Sequence, residues 1–550
     1  MSLTADTRAP GHATGPRPGT RPIMLVGFQR QGNLGLGYLA ATLRRHGHTV
    51  RVFDVERDPE DILAAAKELD PLLIGFSLIF QFYIRRFGKL IGYLRDNGIT
   101  CHFTMGGHYP TLSFRQTLTM VPELDSVVRY EGELTLLQLV TALHAGSQWR
   151  ELEGIAYRRG DEIIATPARK LLPNLDDLPY PDRDFEPNVV LARRAMPVLA
   201  SRGCARTCSF CSIHTFYRTA PGKVVRTRRP AEVVREMVFL HEQQDITIFL
   251  FQDDDFPLFG KVWRRWANEF VDELYRAGLP GRVIWKINCR ADAVEPELFR
   301  RMRDAGLYIV YMGLESGTEE GLKVLNKEIT VQENLAAVAV LKELELMFEF
   351  GFMLLDPSST FASVRANVGF LRAIAADGYV AATFCKMLPY DGTPIKEELE
   401  RTGRLRGDVC DPDYDFLDPR LNDFYRALVR TIDVSGWLHG YKALSPQLNW
   451  TLNEAAVMTH LFPGLPGTAK YRRDLRRIIV RSNELLFRTV EDLCDAHELG
   501  RPASYDADQL RLECNQLLVR LLANRNRFVG ASQPALLRVL DEEPAARKIA

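Results

Sequence analysis

Ser201-Arg-Gly-Cys204-Ala-Arg-Thr-Cys208-Ser-Phe-Cys211-Ser212 places three cysteines at CxxxCxxC spacing. Three thiolates this close can hold three irons of a four-iron, four-sulfur cluster, and the usual all-cysteine cluster takes a fourth. No fourth cysteine is near; the next is Cys289. A cluster with three protein ligands keeps one iron open, and an open iron is a reaction site. His214, three residues past Cys211, leaves a Cys3His zinc site as the alternative. Disulfides fit less well, because the nine cysteines are an odd number and residues 1–20 lack the apolar stretch of a secretory signal. Clustered cysteines in a cytosolic protein point to metal binding or catalysis.

The rest of the chain gives this loop a setting. Its 550 residues exceed one core, so two to four domains are expected. Hydrophobic content of 46% and charged content of 25% are globular values. Seventy basic and seventy acidic residues cancel, which argues against nucleic acid as the main partner. No apolar run reaches the roughly 20 residues of a membrane helix. Residues 1–20, rich in Pro, Gly and Thr, read as a disordered tail, and the expected address is the cytoplasm.

Upstream of the cysteines, apolar strand-length runs at 22–28, 49–54, 72–77, 101–105 and 126–130 alternate with helical stretches. That alternation predicts a parallel sheet covered on both faces, whose ligand sits at the carboxyl ends of the strands. Glycines gather at those ends: Gly32, Gly35, Gly37, Gly106, Gly107 and Gly132. Residues 153–169 read as a hairpin, and the Pro/Asp-rich stretch 172–185 as a linker. From Val198 the alternation resumes, with strands at 246–251, 283–288, 308–313, 347–355 and 379–387. About six β/α units make a partial barrel, with its site at the carboxyl ends of the strands. From Leu421 the periodicity is helical. The predicted organisation is a tail (1–20), a Rossmann-like domain (21–150), a hairpin and linker (151–190), a partial (β/α)6 TIM barrel (191–420) and a helical region (421–550).

The cysteine spacing, with Phe210 before the last cysteine, resembles the signature of radical SAM enzymes. Asn33-Leu-Gly-Leu-Gly-Tyr-Leu-Ala40, Gly106-Gly-His-Tyr-Pro-Thr111 and Arg129-Tyr-Glu-Gly-Glu133 resemble the cobalamin-binding domain that precedes many radical SAM cores, of the class B methyltransferase kind. The resemblance implies that S-adenosylmethionine (SAM) chelates the open iron and that an electron from the cluster yields a 5′-deoxyadenosyl radical. It implies cobalamin cradled by Asn33, Leu34, Gly35, Gly106, Gly107, His108, Glu131, Gly132 and Glu133. With no DxHxxG motif, it implies no histidine lower ligand. Phe80 and Gln81, in a stretch bulkier than usual for the family, either face the lower side of cobalamin or fill the cavity in a member that has lost the cofactor.

On the barrel, Asp253, Asp254 and Asp255 end a strand; they are either a solvated acidic loop or, by resemblance, the holders of the SAM ammonium group. Arg290 is a candidate for the SAM carboxylate or ribose, or an ordinary surface arginine. Glu315 and Ser316 match a family motif that contacts polar groups of SAM. Tyr217, Tyr308 and Tyr311, near strand ends, are candidates for proton or hydrogen transfer. Trp437, His439, Tyr441, Trp450 and His460 either pack helices or cap the active site.

The expected reaction is cobalamin-dependent C-methylation of a small molecule in antibiotic or other secondary metabolism, fed by flavodoxin or ferredoxin. A radical dehydratase, deoxygenase or cyclase acting on a sugar-like substrate is the alternative, and a cobalamin-binding sensor a further one.

Overall fold

The computed structural model describes residues 21–30, 32–438, 442–501 and 506–546. The tail 1–20, His439 and Tyr441 lie outside the described residues.

Short apolar segments build the first sheet: β1 (Ile23–Gly27), β2 (Val50–Asp54), β3 (Leu73–Ser77), β4 (His102–Gly106), β5 (Ser126–Val128), β6 (Ile155–Arg159) and β7 (Glu162–Ala165). Their order is β2-β1-β3-β4-β5-β6-β7, with β1 to β5 parallel. The order reverses at β1/β3, the switch point where doubly wound sheets bind ligands. The hairpin appears as predicted, but it extends the first sheet: β6 runs antiparallel to β5. It therefore covers the sheet edge, and the unit expected at 151–190 divides after it.

The second sheet holds β8 (Asn188–Val190), β9 (Arg193–Val198), β12 (Ile246–Phe251), β13 (Ile284–Arg290), β14 (Leu307–Glu315), β15 (Met347–Leu355) and β16 (Cys385–Lys386), in the order β16-β15-β14-β13-β12-β9-β8. Between β9 and β12, the two-residue strands β10 (Ser201–Arg202) and β11 (Arg226–Thr227) pair with each other and leave the barrel. Six consecutive parallel strands, β9 and β12 to β16, form the open barrel. The last is a two-residue strand where 379–387 was expected, so the barrel ends on a frayed edge. Helix starts are locally encoded: Thr330 with Glu333 and Thr360 with Ser363 close capping boxes.

Helices Pro419–Ser435, Leu444–Leu461, Thr468–Glu498 and Ala507–Ala546 make the C-terminal region. Asn483 docks it: its amide donates to the carbonyls of Ala375 (2.8 Å) and Val380 (3.0 Å) and accepts from Ala382 N (2.8 Å). Arg372 adds a two-pronged bond to Glu491. Among the described residues, no helix is long and apolar enough to cross a membrane.

The first domain and the barrel are bound through the linker and two polar knots. Asp182 N donates to Gly37 O (3.1 Å), and a Cβ at Gly37 would collide with the Asp182 carbonyl. Gln81 is buried; its amide donates to Val409 O (3.0 Å) and accepts from Asp391 N (2.7 Å).

Candidate functional site

A cavity of about 420 Å³ lies between the first domain and the barrel, at the carboxyl ends of both sets of strands. From the first domain it is lined by Asn33, Leu34 and Gly35 after β1, Phe80 after β3, Gly106, Gly107 and His108 after β4, and Glu131, Gly132 and Glu133 after β5. From the barrel it is lined by Arg202, Phe216, Tyr217 and Asp254. Ile79, Phe80 and Tyr83 leave more than a third of their surface open, an apolar floor inside a polar rim.

Backbone geometry keeps this cavity open. Gly107 has φ +115°, and a Cβ there would collide with the Leu78 carbonyl. A Cβ at Gly35 would meet only Asn33 Oδ1, at 3.1 Å, so that glycine leaves free space. Asn33 has a structural duty too: its side chain accepts from Leu36 N (3.1 Å) as the N-cap of helix Leu34–Arg45. His108 packs edge-on to Phe216 at 4.4 Å between ring centres, and burial lowers its pKa against the pull of Asp254. Tyr217 is buried, and burial pushes its phenol well up, so it stays protonated at neutral pH.

The two glutamates of the Arg129–Glu133 motif are spent on domain contacts. Glu131 accepts from Leu172 N (2.9 Å), from Arg202 (3.2 Å) and, on both oxygens, from Arg226 Nη1 (2.8 and 2.9 Å). Glu133 accepts from Arg202 Nη2 at 2.6 Å. The motif marks both as cofactor ligands; their partners Arg202 and Arg226 lie about 70 and 95 residues from Glu131, beyond any local pattern. Gln81 is likewise a strut and does not line the cavity.

The cysteine loop leaves the barrel after β10. Gly203, at φ +85°, is squeezed against the Val224 carbonyl, a place only glycine fits. Cys204, Cys208 and Cys211 are free thiols; Cys208 is buried and the others half-buried. Burial pushes Cys204 up to about 12 and Cys211 up to about 11. Arg290 Nη1 lies 3.9 Å from Cys208 Sγ, and Cys204 Sγ lies 3.9 Å from Asp255 Oδ2. Phe210 packs against the barrel core. The donor set fits an iron–sulfur cube, which takes each thiolate at a different corner. Among the described residues, no three His, Cys, Asp or Glu side chains converge on one ion. His214, the would-be zinc ligand, has its Nε2 buried without a hydrogen-bond partner among the described residues.

The three aspartates after β12 separate by role. Asp253 is buried, accepting from Ala200 N (3.2 Å) and Ser201 Oγ (2.5 Å), and burial pushes it up to about 7. Asp254 accepts from Gly203 N (2.9 Å) and faces the cavity. Asp255 stands beside Cys204, raised by burial to about 6. Arg290 is not a surface arginine: it is buried, bonded to Asp292 (2.9 Å) and to the Lys327 carbonyl (2.6 Å), with Nη1 turned to Cys208. Glu315 holds a left-handed backbone (φ +63°) at the end of β14 and pairs with buried Lys327 at 3.0 Å. Ser316 is fully buried, its Oγ donating to Asn367 Oδ1 (3.3 Å) and accepting from Thr318 N (3.2 Å), which makes it part of the turn.

The tyrosines part company. Tyr311 lies at the middle of β14, partly exposed and 5.9 Å (ring centre) from Lys286. Tyr308 is the second residue of that strand, fully buried, 6.2 Å from the His460 ring, at the end of the barrel opposite the cysteines. Tyr308 and His460 are therefore structural, because strand direction separates residues that only three positions of β14 set apart. Trp450 is an exposed helix residue and Trp437 is buried. No motif in the sequence marks Lys327; its turn carries two left-handed residues, Asn326 and Glu328, a strain pattern visible only in the backbone.

A family model for the B12 binding domain matches residues 21–140, and one for the Radical SAM superfamily matches residues 198–365. The chain is 29% identical over 374 residues to an uncharacterized methyltransferase of Pyrococcus horikoshii, covering 66% of this chain and 77% of that protein. It is 29% identical over 426 residues to the anaerobic magnesium-protoporphyrin IX monomethyl ester cyclase of Cereibacter sphaeroides, covering 74% and 66%. Among solved structures, the cobalamin-dependent S-adenosylmethionine radical enzyme OxsB, with aqua-cobalamin and S-adenosylmethionine bound, matches with a TM-score of 0.66 at 17% identity, covering 97% of this chain and 82% of that one. At that identity the likeness is one of fold.

Proposed function

We propose, from the premise that this chain is a radical SAM enzyme with a B12 binding domain ahead of its barrel, that it transfers a methyl group to an unactivated carbon of a small molecule. The observation that carries the reading is the shared cavity: the strand ends of the first domain and the barrel's Tyr217 and Asp254 face one another across it. When bound, the cluster supplies the electron that cleaves SAM and cobalamin supplies the methyl group.

The chain's own residues hold, orient and exclude water. Cys204, Cys208 and Cys211 hold the cluster, with the Arg290 and Lys327 cations favouring its negative charge. Asp255, beside Cys204 and without the backbone bonds that occupy Asp253 and Asp254, is the carboxylate for the SAM ammonium group. Glu315, fixed by Lys327, takes a second polar group of SAM. Ile79, Phe80 and Tyr83 present an apolar face to the corrin, and Gly35 leaves it room. Tyr217 keeps a protonated phenol at the cavity wall. A flavodoxin or ferredoxin is the proposed electron donor, and a secondary-metabolite pathway the proposed setting.

The similarity to the cyclase favours a second reading, radical cyclisation without methyl transfer. Anaerobic turnover with methyl-deuterated SAM separates the two. Deuterated methyl in the product, with S-adenosylhomocysteine and 5′-deoxyadenosine both formed, is expected; 5′-deoxyadenosine alone would refute methyl transfer.

A further inference from the structure

A second cavity, of about 250 Å³, opens where the barrel stays unclosed. One wall is the frayed last strand and its neighbour: Leu355, Phe384 and Leu388. The facing wall is helix Pro419–Ser435, through Tyr425, Leu428, Val429 and Ile432. Those four stand at i, i+3, i+4 and i+7, the apolar face that a helix normally buries against a core. Here it borders a cavity. Trp437 and Leu486 close the far side, and Leu388 (39% exposed) and Leu438 (42%) stand at the mouth.

The lining charges are already satisfied. Lys386 pairs with Asp413 and donates to Tyr414 O (3.1 Å), with its ammonium 4.2–4.6 Å from the ring centres of Tyr414, Phe416 and Tyr425. Asp433 is also engaged. A charged ligand would find no free counter-charge, and burying it unpaired is costly. The cavity falls just below the range for drug-sized ligands, so it suits a compact apolar group or one part of a larger molecule.

It also adjoins the reaction centre. Cys385, on its wall, pairs in register with Met353, one residue beyond Phe352, the partner of Glu315. Tyr390, two residues past Leu388 at the lip, packs at 6.1 Å on Phe80 of the cavity between the domains.

We propose that this cavity binds the apolar, uncharged part of the substrate and presents the rest to the cysteine loop. The proposal deepens the radical SAM reading and rests on it for the identity of the occupant.

The test uses the full reconstituted protein and N-phenyl-1-naphthylamine, a neutral apolar fluorophore. Saturable fluorescence enhancement at one site is expected. Val429→Trp, which fills the space, and Leu388→Lys, which charges the lip, should each weaken binding at least tenfold; Leu388 is exposed, so the second variant carries little folding risk. The anionic 1-anilinonaphthalene-8-sulfonate should bind the V429W-sensitive site at least tenfold more weakly than the neutral probe. Unchanged affinity in both variants, equal affinity for the anion, or displacement of the neutral probe by hydroxocobalamin would overturn the proposal. Reductive SAM cleavage by the wild type is scored separately: its absence with probe binding intact refutes the enzymatic reading, whereas its presence without probe binding refutes only the pocket.

Discussion

Glu131→Gln is the perturbation that best separates a structural role from a cofactor-binding one. The Glu131 side chain is 10% exposed and its partner Arg226 only 1%. Arg226 depends on this carboxylate: among the described residues, its side-chain hydrogen bonds all run through Nη1, to Glu131 and to Leu172 O (3.0 Å), while its buried Nε and Nη2 have no hydrogen-bond partner. Arg202 keeps Glu133 in the variant, so the uncompensated charge falls on Arg226. Removing one partner of a buried pair costs about 3–5 kcal/mol. Glutamine retains one acceptor oxygen, so a loss near about 3 kcal/mol is expected. With an m-value of about 3 kcal/mol/M, the urea midpoint of the first transition should fall by about 1 M. The loss should depend on pH. Burial pushes the Glu131 carboxyl up, but Arg202 and Arg226 outweigh it and hold it below its ordinary value of 4.5. A depressed carboxylate stabilises the fold above that value and loses its contribution as pH falls through the folded value. The gap between wild type and variant should therefore be full at pH 7 and shrink below pH 4.5. Urea unfolding followed by tryptophan fluorescence at pH 7 and pH 4 reads both effects. A variant as stable as the wild type at pH 7, but weakened in cobalamin binding, would make Glu131 a ligand and refute the strut.

Asp253→Asn tests a carboxylate of opposite sense. Burial holds Asp253 up at about 7, above its ordinary 3.8, so its contribution to stability is full below 3.8 and is lost as pH rises through 7; the variant should flatten the pH dependence of the thermal midpoint across that window. Gly107→Ala adds a side chain at φ +115° against the Leu78 carbonyl and should cost about 2–4 kcal/mol, read as a lowered melting temperature and weaker hydroxocobalamin binding. Lys327→Met leaves Glu315 buried without its cation, costing about 3 kcal/mol and raising the KM for SAM, with Lys327→Arg restoring part of both.

The sequence made local chemistry legible and long-range pairing opaque. Strand-helix alternation, the glycine-rich strand ends and the cysteine loop are patterns within a dozen residues, and all appear in the structure. The hairpin at 153–169 was equally visible, but the edge it covers is set by pairing with β5, which no local pattern encodes. Gln81, Glu131 and Glu133 sit on cavity loops, which made them plausible ligands; their partners Val409, Arg226 and Arg202 arrive from distant segments. Arg290 was ambiguous because burial and its bond to the Lys327 carbonyl depend on the packing of a loop 37 residues on. Tyr308 and Tyr311 share one strand, and only its direction tells which end meets the cysteines.

The most direct test of the central claim is anaerobic reconstitution with iron and sulfide, followed by reduction in the presence of SAM, for the wild type and for a variant with Cys204, Cys208 and Cys211 all changed to alanine. The wild type should bind iron and sulfide in equal amounts, as a cube requires, and release 5′-deoxyadenosine; the variant should do neither. Wild-type protein that takes up only zinc, or that carries iron yet leaves SAM intact, would contradict the account.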